Sequence, residues 1–224
     1  VIEPGFVPGD PDRLFRTVQE AHNRFATRSF AFYDDALLCR KEKGFLPFLE
    51  QICRSGLSLR FYLPNAVHLR HLDSTCAGLM KRAGFAEVRI GFESSSSEFH
   101  ETLDGKLALP MLAQGLEHLL QAGFSSREIT AYVLAGLPDQ RAEEVERSLR
   151  HAAGFGIPVR LAEYSPVPGS PLWPEAVRHS PFDLEGEPLT HNNSILPMRW
   201  RGFTLEDLER LKTLSRSSRE PAKV

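Results

Sequence analysis

The sequence predicts an α/β fold, a barrel or part-barrel of the TIM type, with a doubly wound open sheet as the rival architecture. Three observations predict it. Helical and strand-like segments alternate with a period of about 30 residues, the mark of βα units around a parallel sheet. Four places repeat one punctuation, a glycine, an apolar residue and then a strand-like run: "RSGLSLRFYL", "RAGFAEVRIGF", "QAGFSSREITAYVLAG" and "AAGFGIPVRLAEY". The runs at about 30–34, 57–63, 87–93, 129–135 and 159–164 are rich in Val, Ile, Phe and Tyr, as buried or half-buried strands are.

Each helix has a local reason. In "PDRLFRTVQEAHNRFA" the residues Leu14, Phe15, Val18, Ala21, His22 and Phe25 keep a 3.6-residue stripe, and Pro11 stands where a first turn tolerates it. "FLPFLEQICRSG", "DSTCAGLMKRAG", "PMLAQGLEHLLQAG" and "AEEVERSLRHAAG" repeat the pattern. Gly56, Gly84 and Gly123, with Gly154 or Gly156 as the fourth, follow these helices as C-terminal glycines should, because glycine takes the left-handed conformation without penalty. Five strands are visible, and the leading helix implies at least one more upstream. The opening "VIEPGFVPGDPD" lacks an initiator methionine and reads as mid-loop, so further sequence is expected before it.

Bulk composition is that of a soluble globular protein. The chain has 224 residues, 42% hydrophobic and 25% charged, with formal net charge −2. That balance gives no footprint for nucleic acid or a membrane surface. No apolar run approaches the roughly 18 residues that span a bilayer. Cys39, Cys53 and Cys76 are odd in number and widely spaced, which suits free thiols in a reducing cytoplasm better than disulfides or a metal motif. His68, His71 and Asp73 do not have a standard metal-ligand spacing. No metal site is expected.

In this architecture the ligand site lies at the carboxyl ends of the strands. Those ends read "YDD" (33–35), "LPN" (63–65), "GFESS" (91–95), "AGLPDQ" (135–140) and "YSPVPGS" (164–170). Asp34 and Asp35 close an apolar run, where carboxylates need a hydrogen-bonding or positive partner. Either could cap the next segment, but neighbours on a strand point to opposite faces, so one of the two should face the barrel axis. Asp34 shares parity with Phe30 and Phe32 and is the stronger candidate. Glu93 ends "VRIGFE" and calls for a hydroxyl-bearing ligand or an arginine such as Arg60 or Arg89. Gly136 permits close approach of the backbone to a flat ligand.

Taken in order, "PGFVPGDPDRL", "FAFYDDALL", "FYLPNAVHLRHLD", "LMKRAGFAEVRIGFESSSSEFHETLDGK", "YVLAGLPDQRAEEVE" and "YSPVPGSPLW" resemble the radical S-adenosylmethionine (radical SAM) proteins, most closely the branch often fused to a cobalamin-binding domain. The resemblance covers 1–175 and implies a partial TIM-type (β/α)6 barrel lacking its first strand, followed at 176–224 by a C-terminal loop and helix extension. It implies SAM and a 4Fe-4S cluster as cofactors, cobalamin in the intact protein, and an electron donor such as flavodoxin or ferredoxin. It implies reductive cleavage of SAM to a 5′-deoxyadenosyl radical acting on an unknown small-molecule or macromolecular substrate.

The resemblance also assigns residues. Asp34 or Asp35 stands where relatives bind the SAM ammonium. Glu93 and Ser94 stand at the site for the ribose and the methionyl part, and Leu134, Gly136 and Pro138 at the platform for adenine. Asn65 lies on the same rim as a looser candidate. No CxxxCxxC loop occurs in the 224 residues. The reading is therefore of a chain that begins past that loop and is inactive alone, with a cluster-less binding or scaffold module as the alternative. An ordinary TIM-barrel lyase is disfavoured because no rim lysine is evident; Lys106 lies off the strand. Beyond 180, Asn192, Asn193 and Arg199 are substrate-side candidates against a solvated loop. Thr204 should cap a helix over "LEDLERLKTLSRS".

Overall fold

The computed structural model describes residues 7–34, 36–93, 108–195, 197–198 and 202–217. Its strands are β1 (Ser29–Ala31), β2 (Arg60–Tyr62), β3 (Val67–His68), β4 (Val88–Glu93), β5 (Ile129–Ala135) and β6 (Val159–Glu163). Its α-helices are α1 (Pro11–Phe25), α2 (Phe45–Ser55), α3 (Ser74–Ala83), α4 (Ala108–Gln121), α5 (Ala142–Ala153), α6 (Trp173–His179) and α7 (Leu205–Ser217). The chain forms two compact units, Val1–Gly91 with Pro110–Thr130, and Phe92–Leu109 with Ala131–Val224.

In the first unit β1 and β2 pair in parallel, Ser29 with Arg60 and Ala31 with Tyr62. β3 pairs in parallel with β4 through Val67–Ile90 and His68–Gly91. β2 and β3 are separated by a break at 63–66 that bends at Pro64 and Asn65. Pro64 explains the break, since it has no N–H to give a ladder. Phe32, Phe45, Phe48, Phe61 and Phe85 form an aromatic cluster, with Phe32 in contact with the other four at centroid separations of 5.7 to 6.0 Å. Two helix starts in this unit are capped by aspartate. Asp10 accepts the N–H groups of Asp12 and Arg13 at α1, and Asp73 accepts that of Cys76 at α3.

In the second unit β5 and β6 pair in parallel from Ala131–Val159 to Ala135–Glu163. Helices α5 and α7 pack on β6 and on each other. On β5, Ala131, Val133 and Ala135 are fully buried while Tyr132 and Leu134 are half-buried, so one face is sealed and the other partly open. Thr204 caps α7 as expected, its Oγ1 accepting the Asp207 N–H at 3.1 Å. The sequence reading had no helix at Trp173–His179. Pro174 sits in its first turn, where a missing N–H costs nothing. No helix among the described residues is long and apolar enough to cross a membrane.

Candidate functional site

After β1 the ladder continues one step, with Phe32 N–H donating to Tyr62 O at 3.0 Å. The Phe32 ring is held in the aromatic cluster, which fixes the backbone two residues before Asp34. Asp34 is exposed, and its Oδ1 accepts the Ala36 N–H at 2.7 Å, a turn that aspartate makes readily. Oδ2 has no partner among the described residues. Asn65, in the break between β2 and β3, donates from Nδ2 to Tyr33 O at 3.1 Å. Asp34 and Asn65 thus come together on one rim. Asp34 also lines a cleft of about 210 Å³ with Pro8, Gly9, Phe32 and Arg40.

Asp35 and Ser94 lie outside the described residues, as does the Glu93 side chain; the Glu93 backbone closes β4. Arg89, named as a partner for Glu93, pairs with Glu87 at 2.7 Å and donates to Pro64 O at 3.0 Å. The His68–Asp73 stretch is structural. His68 Nδ1 accepts the Arg70 N–H, and Asp73 takes Lys41 Nζ at 2.6 Å besides capping α3. Burial would raise the Asp73 pKa, but the Lys41 ammonium and the Cys76 N–H outweigh it and hold the carboxyl below its ordinary value. Cys76 is buried and its thiol pushed up to about 12 by desolvation.

In the second unit the exit from β5 is wound around a residue that the sequence reading passed over. Gly136 has φ +88°, which glycine alone adopts freely. Gln140 is buried. Its Oε1 accepts the N–H groups of Gly136 at 2.8 Å and Leu137 at 3.2 Å, and its Nε2 donates to Leu134 O at 3.0 Å. The Gly136 N–H is therefore already used. At this turn Leu134 and Pro138 are half-buried and Gly136 is buried. Beside it, Asp139, Glu175 and His179 are the group of metal-ligand type found among the described residues. His179 Nε2 lies 3.6 Å from Asp139 and 3.4 Å from Glu175, and Arg178 also pairs with Glu175. Asn193 Nδ2 donates to Glu163 O at 3.3 Å and Asn192 accepts the Ser194 N–H, while Arg199 lies outside the described residues.

No protein-family model and no curated protein matches the chain. Solved structures do. A radical SAM methyltransferase, TsrM from Kitasatospora setae, with tryptophan substrate and a SAM analogue bound, superposes with TM-score 0.63 at 13% identity, over 75% of this chain and 33% of that one. Coproporphyrinogen III oxidase (HemN) from Escherichia coli, a radical SAM enzyme, gives 0.53 at 13% identity, over 91% of this chain and 56% of that one. The fold is the radical SAM fold. Methylornithine synthase (PylB) gives 0.50 at 14% identity, over 92% of this chain and 69% of that one. TsrM has also been solved with cobalamin and a 4Fe-4S cluster bound. The chain spans a third of the length of the methyltransferase. The partial TIM-type α/β class expected from the sequence is the class of these neighbours, and no closed barrel forms among the described residues. At this identity the radical SAM likeness carries the fold and leaves the reaction to chemistry.

Proposed function

We propose that the chain is the SAM-binding core of a radical SAM enzyme, in which reductive cleavage of SAM gives a 5′-deoxyadenosyl radical that acts on a substrate. The observation that supports this most is an exposed aspartate, Asp34, at a strand-end turn whose backbone Asn65 ties down at the neighbouring Tyr33 O, in a chain with the radical SAM fold. Asp34 is the acceptor for the SAM ammonium. A carboxylate with one oxygen uncommitted suits that cation, since charge-assisted hydrogen bonds are short and strong. Asn65 sets the Tyr33 carbonyl beside it. Asp35 is the alternative ammonium acceptor, Glu93 and Ser94 the partners of the ribose and methionyl part, and Leu134, Gly136 and Pro138 the surface for adenine.

The cysteines of this chain do not fit a 4Fe-4S cluster. Cys39 and Cys76 are buried and Cys53 half-buried. A thiol raised to about 12 is a poor source of thiolate. No cysteine joins a group of metal-ligand type among the described residues. The proposal takes the cluster ligands to lie outside these 224 residues. The same misfit favours a second reading, a SAM-binding module that works without a cluster. The intact protein, anaerobically reconstituted and reduced, separates the two. A loaded cluster that releases 5′-deoxyadenosine from SAM is the expected result, and a fully loaded cluster that releases none overturns the enzymatic reading.

A further inference from the structure

Strand β6 alternates between two environments. Val159 lies in a groove with Leu149, Leu214 and Ser215, and the Ser215 hydroxyl donates to Val159 O at 2.8 Å. Glu163 pairs with Lys212 of α7 at 3.2 Å. The odd-numbered positions therefore face the helices, and Arg160 and Ala162 project from the opposite face. The parallel register sets Arg160 beside Tyr132 and Ala162 beside Leu134. Tyr132 and Leu134 are the half-buried residues of β5, on the face away from its sealed row Ala131, Val133 and Ala135. Arg160 is thus an arginine on the partly open face of the sheet, among an aromatic ring and two apolar side chains.

The Arg160 Nε–H is buried and has no hydrogen-bond partner among the described residues, while the residue as a whole is half-buried. Such a group is costly unless something meets it. Arginine presents a planar fork of N–H donors that matches an oxyanion in bidentate fashion, and it is the side chain of choice where a carboxylate is read in a desolvated place. The row of Arg160 and Tyr132 lies about 7 Å along the strands from the row of Ala162 and Leu134, and Leu134 belongs to the surface proposed for adenine.

We propose that Arg160 anchors the carboxylate of the substrate, whose apolar body lies over Tyr132, Leu134 and Ala162, so that the substrate class is an organic acid. This rests on the SAM-binding reading only for the word substrate; the anion site is testable with no SAM present. The probe is benzoate, with its neutral analogue benzamide and inorganic phosphate beside it. They are titrated into the ¹⁵N-labelled chain while the arginine Nε–Hε resonances are followed, the R160Q spectrum assigning that of Arg160. Benzoate should shift the Arg160 resonance saturably, benzamide should not, and R160Q should bind benzoate at least about 10-fold more weakly. Equal response to benzoate and benzamide, unchanged binding by R160Q, or no saturable shift overturns the proposal; a response to phosphate alone overturns the organic-acid assignment.

Stability gives an independent arm. An arginine kept for a ligand is replaceable at no cost to the fold, so R160M should melt no lower than the parent. A fall of more than about 5 °C marks Arg160 as a structural residue and overturns the proposal. SAM binding is measured apart from both arms. A chain that binds benzoate through Arg160 but not SAM loses the cofactor reading and keeps the anion site, and the reverse result removes this inference alone.

Discussion

Gln140 holds Gly136 by its backbone N–H, Oε1 to N 2.8 Å, while its own Nε2 donates to Leu134 O across the same turn at 3.0 Å. One buried amide thereby fixes the first residue after β5 in a left-handed conformation. Gln140→Ala removes the acceptor of two N–H groups, since Leu137 shares it. The expected loss is about 2–3 kcal/mol, read in a thermal melt as a fall of about 4–12 °C for a chain of this size. An unchanged melting temperature would show that the turn is held by other contacts.

Two glycines test how closely the chain packs at the helix–strand junctions. Gly84 and Gly123 both have positive φ, +98° and +95°. A Cβ at Gly84 would lie 2.2 Å from Leu59 O, whereas one at Gly123 would meet nothing within 4 Å. Gly123→Ala should therefore cost only conformational strain, about 1 kcal/mol, and Gly84→Ala at least about 2 kcal/mol more, because backbone must move. Denaturant unfolding of the two variants measures the difference. Equal losses would contradict the close approach.

Lys41 and Asp73 set a pH dependence. The Lys41 side chain is 8% exposed and its ammonium binds Asp73 and the His71 carbonyl. The Asp73 pKa is lowered in the fold from 3.8. A lowered carboxyl contributes stability that is present above the unfolded value and lost as pH falls through the folded one. Asp73→Asn, which retains a capping side chain, should therefore flatten the loss of stability below about pH 4. Asp73→Ala also removes the cap and strands the ammonium, at about 1–3 kcal/mol near neutrality. Urea midpoints from pH 3 to 7 decide this; an acid limb in D73N as steep as in the parent would refute it.

What could be read in the sequence was what local chemistry encodes. Gly56, Gly84 and Gly123 end helices because only glycine takes the left-handed bend there cheaply, and the apolar run cut off by Gly and Pro marked the end of β5, whereas β1 stops at Ala31, before the expected end at Asp34. Tertiary geometry decided the rest. β3 is two residues long and exists through its pairing with Ile90 and Gly91. Helix α6 is only seven residues long, too short to show a helical stripe, and it carries Pro174 in its first turn. A glutamine in a turn looks solvated until the backbone comes round to bury it, as at Gln140. Arg160 gained its meaning from its register beside Tyr132. Arg89 is taken by Glu87, two residues away on its own strand, and by Pro64 O across the sheet.

The central claim is that Asp34 receives the ammonium of SAM. The most direct measurement is equilibrium titration of the purified chain and of Asp34→Asn with SAM and with 5′-methylthioadenosine, which lacks the amino-acid part. One saturable SAM site is expected, weakened at least about 10-fold in D34N, roughly 1.4 kcal/mol, with 5′-methylthioadenosine bound equally by both proteins and the melting temperature unchanged. A folded chain that binds no SAM at a few millimolar, or a D34N variant that binds SAM as the parent does, would contradict it.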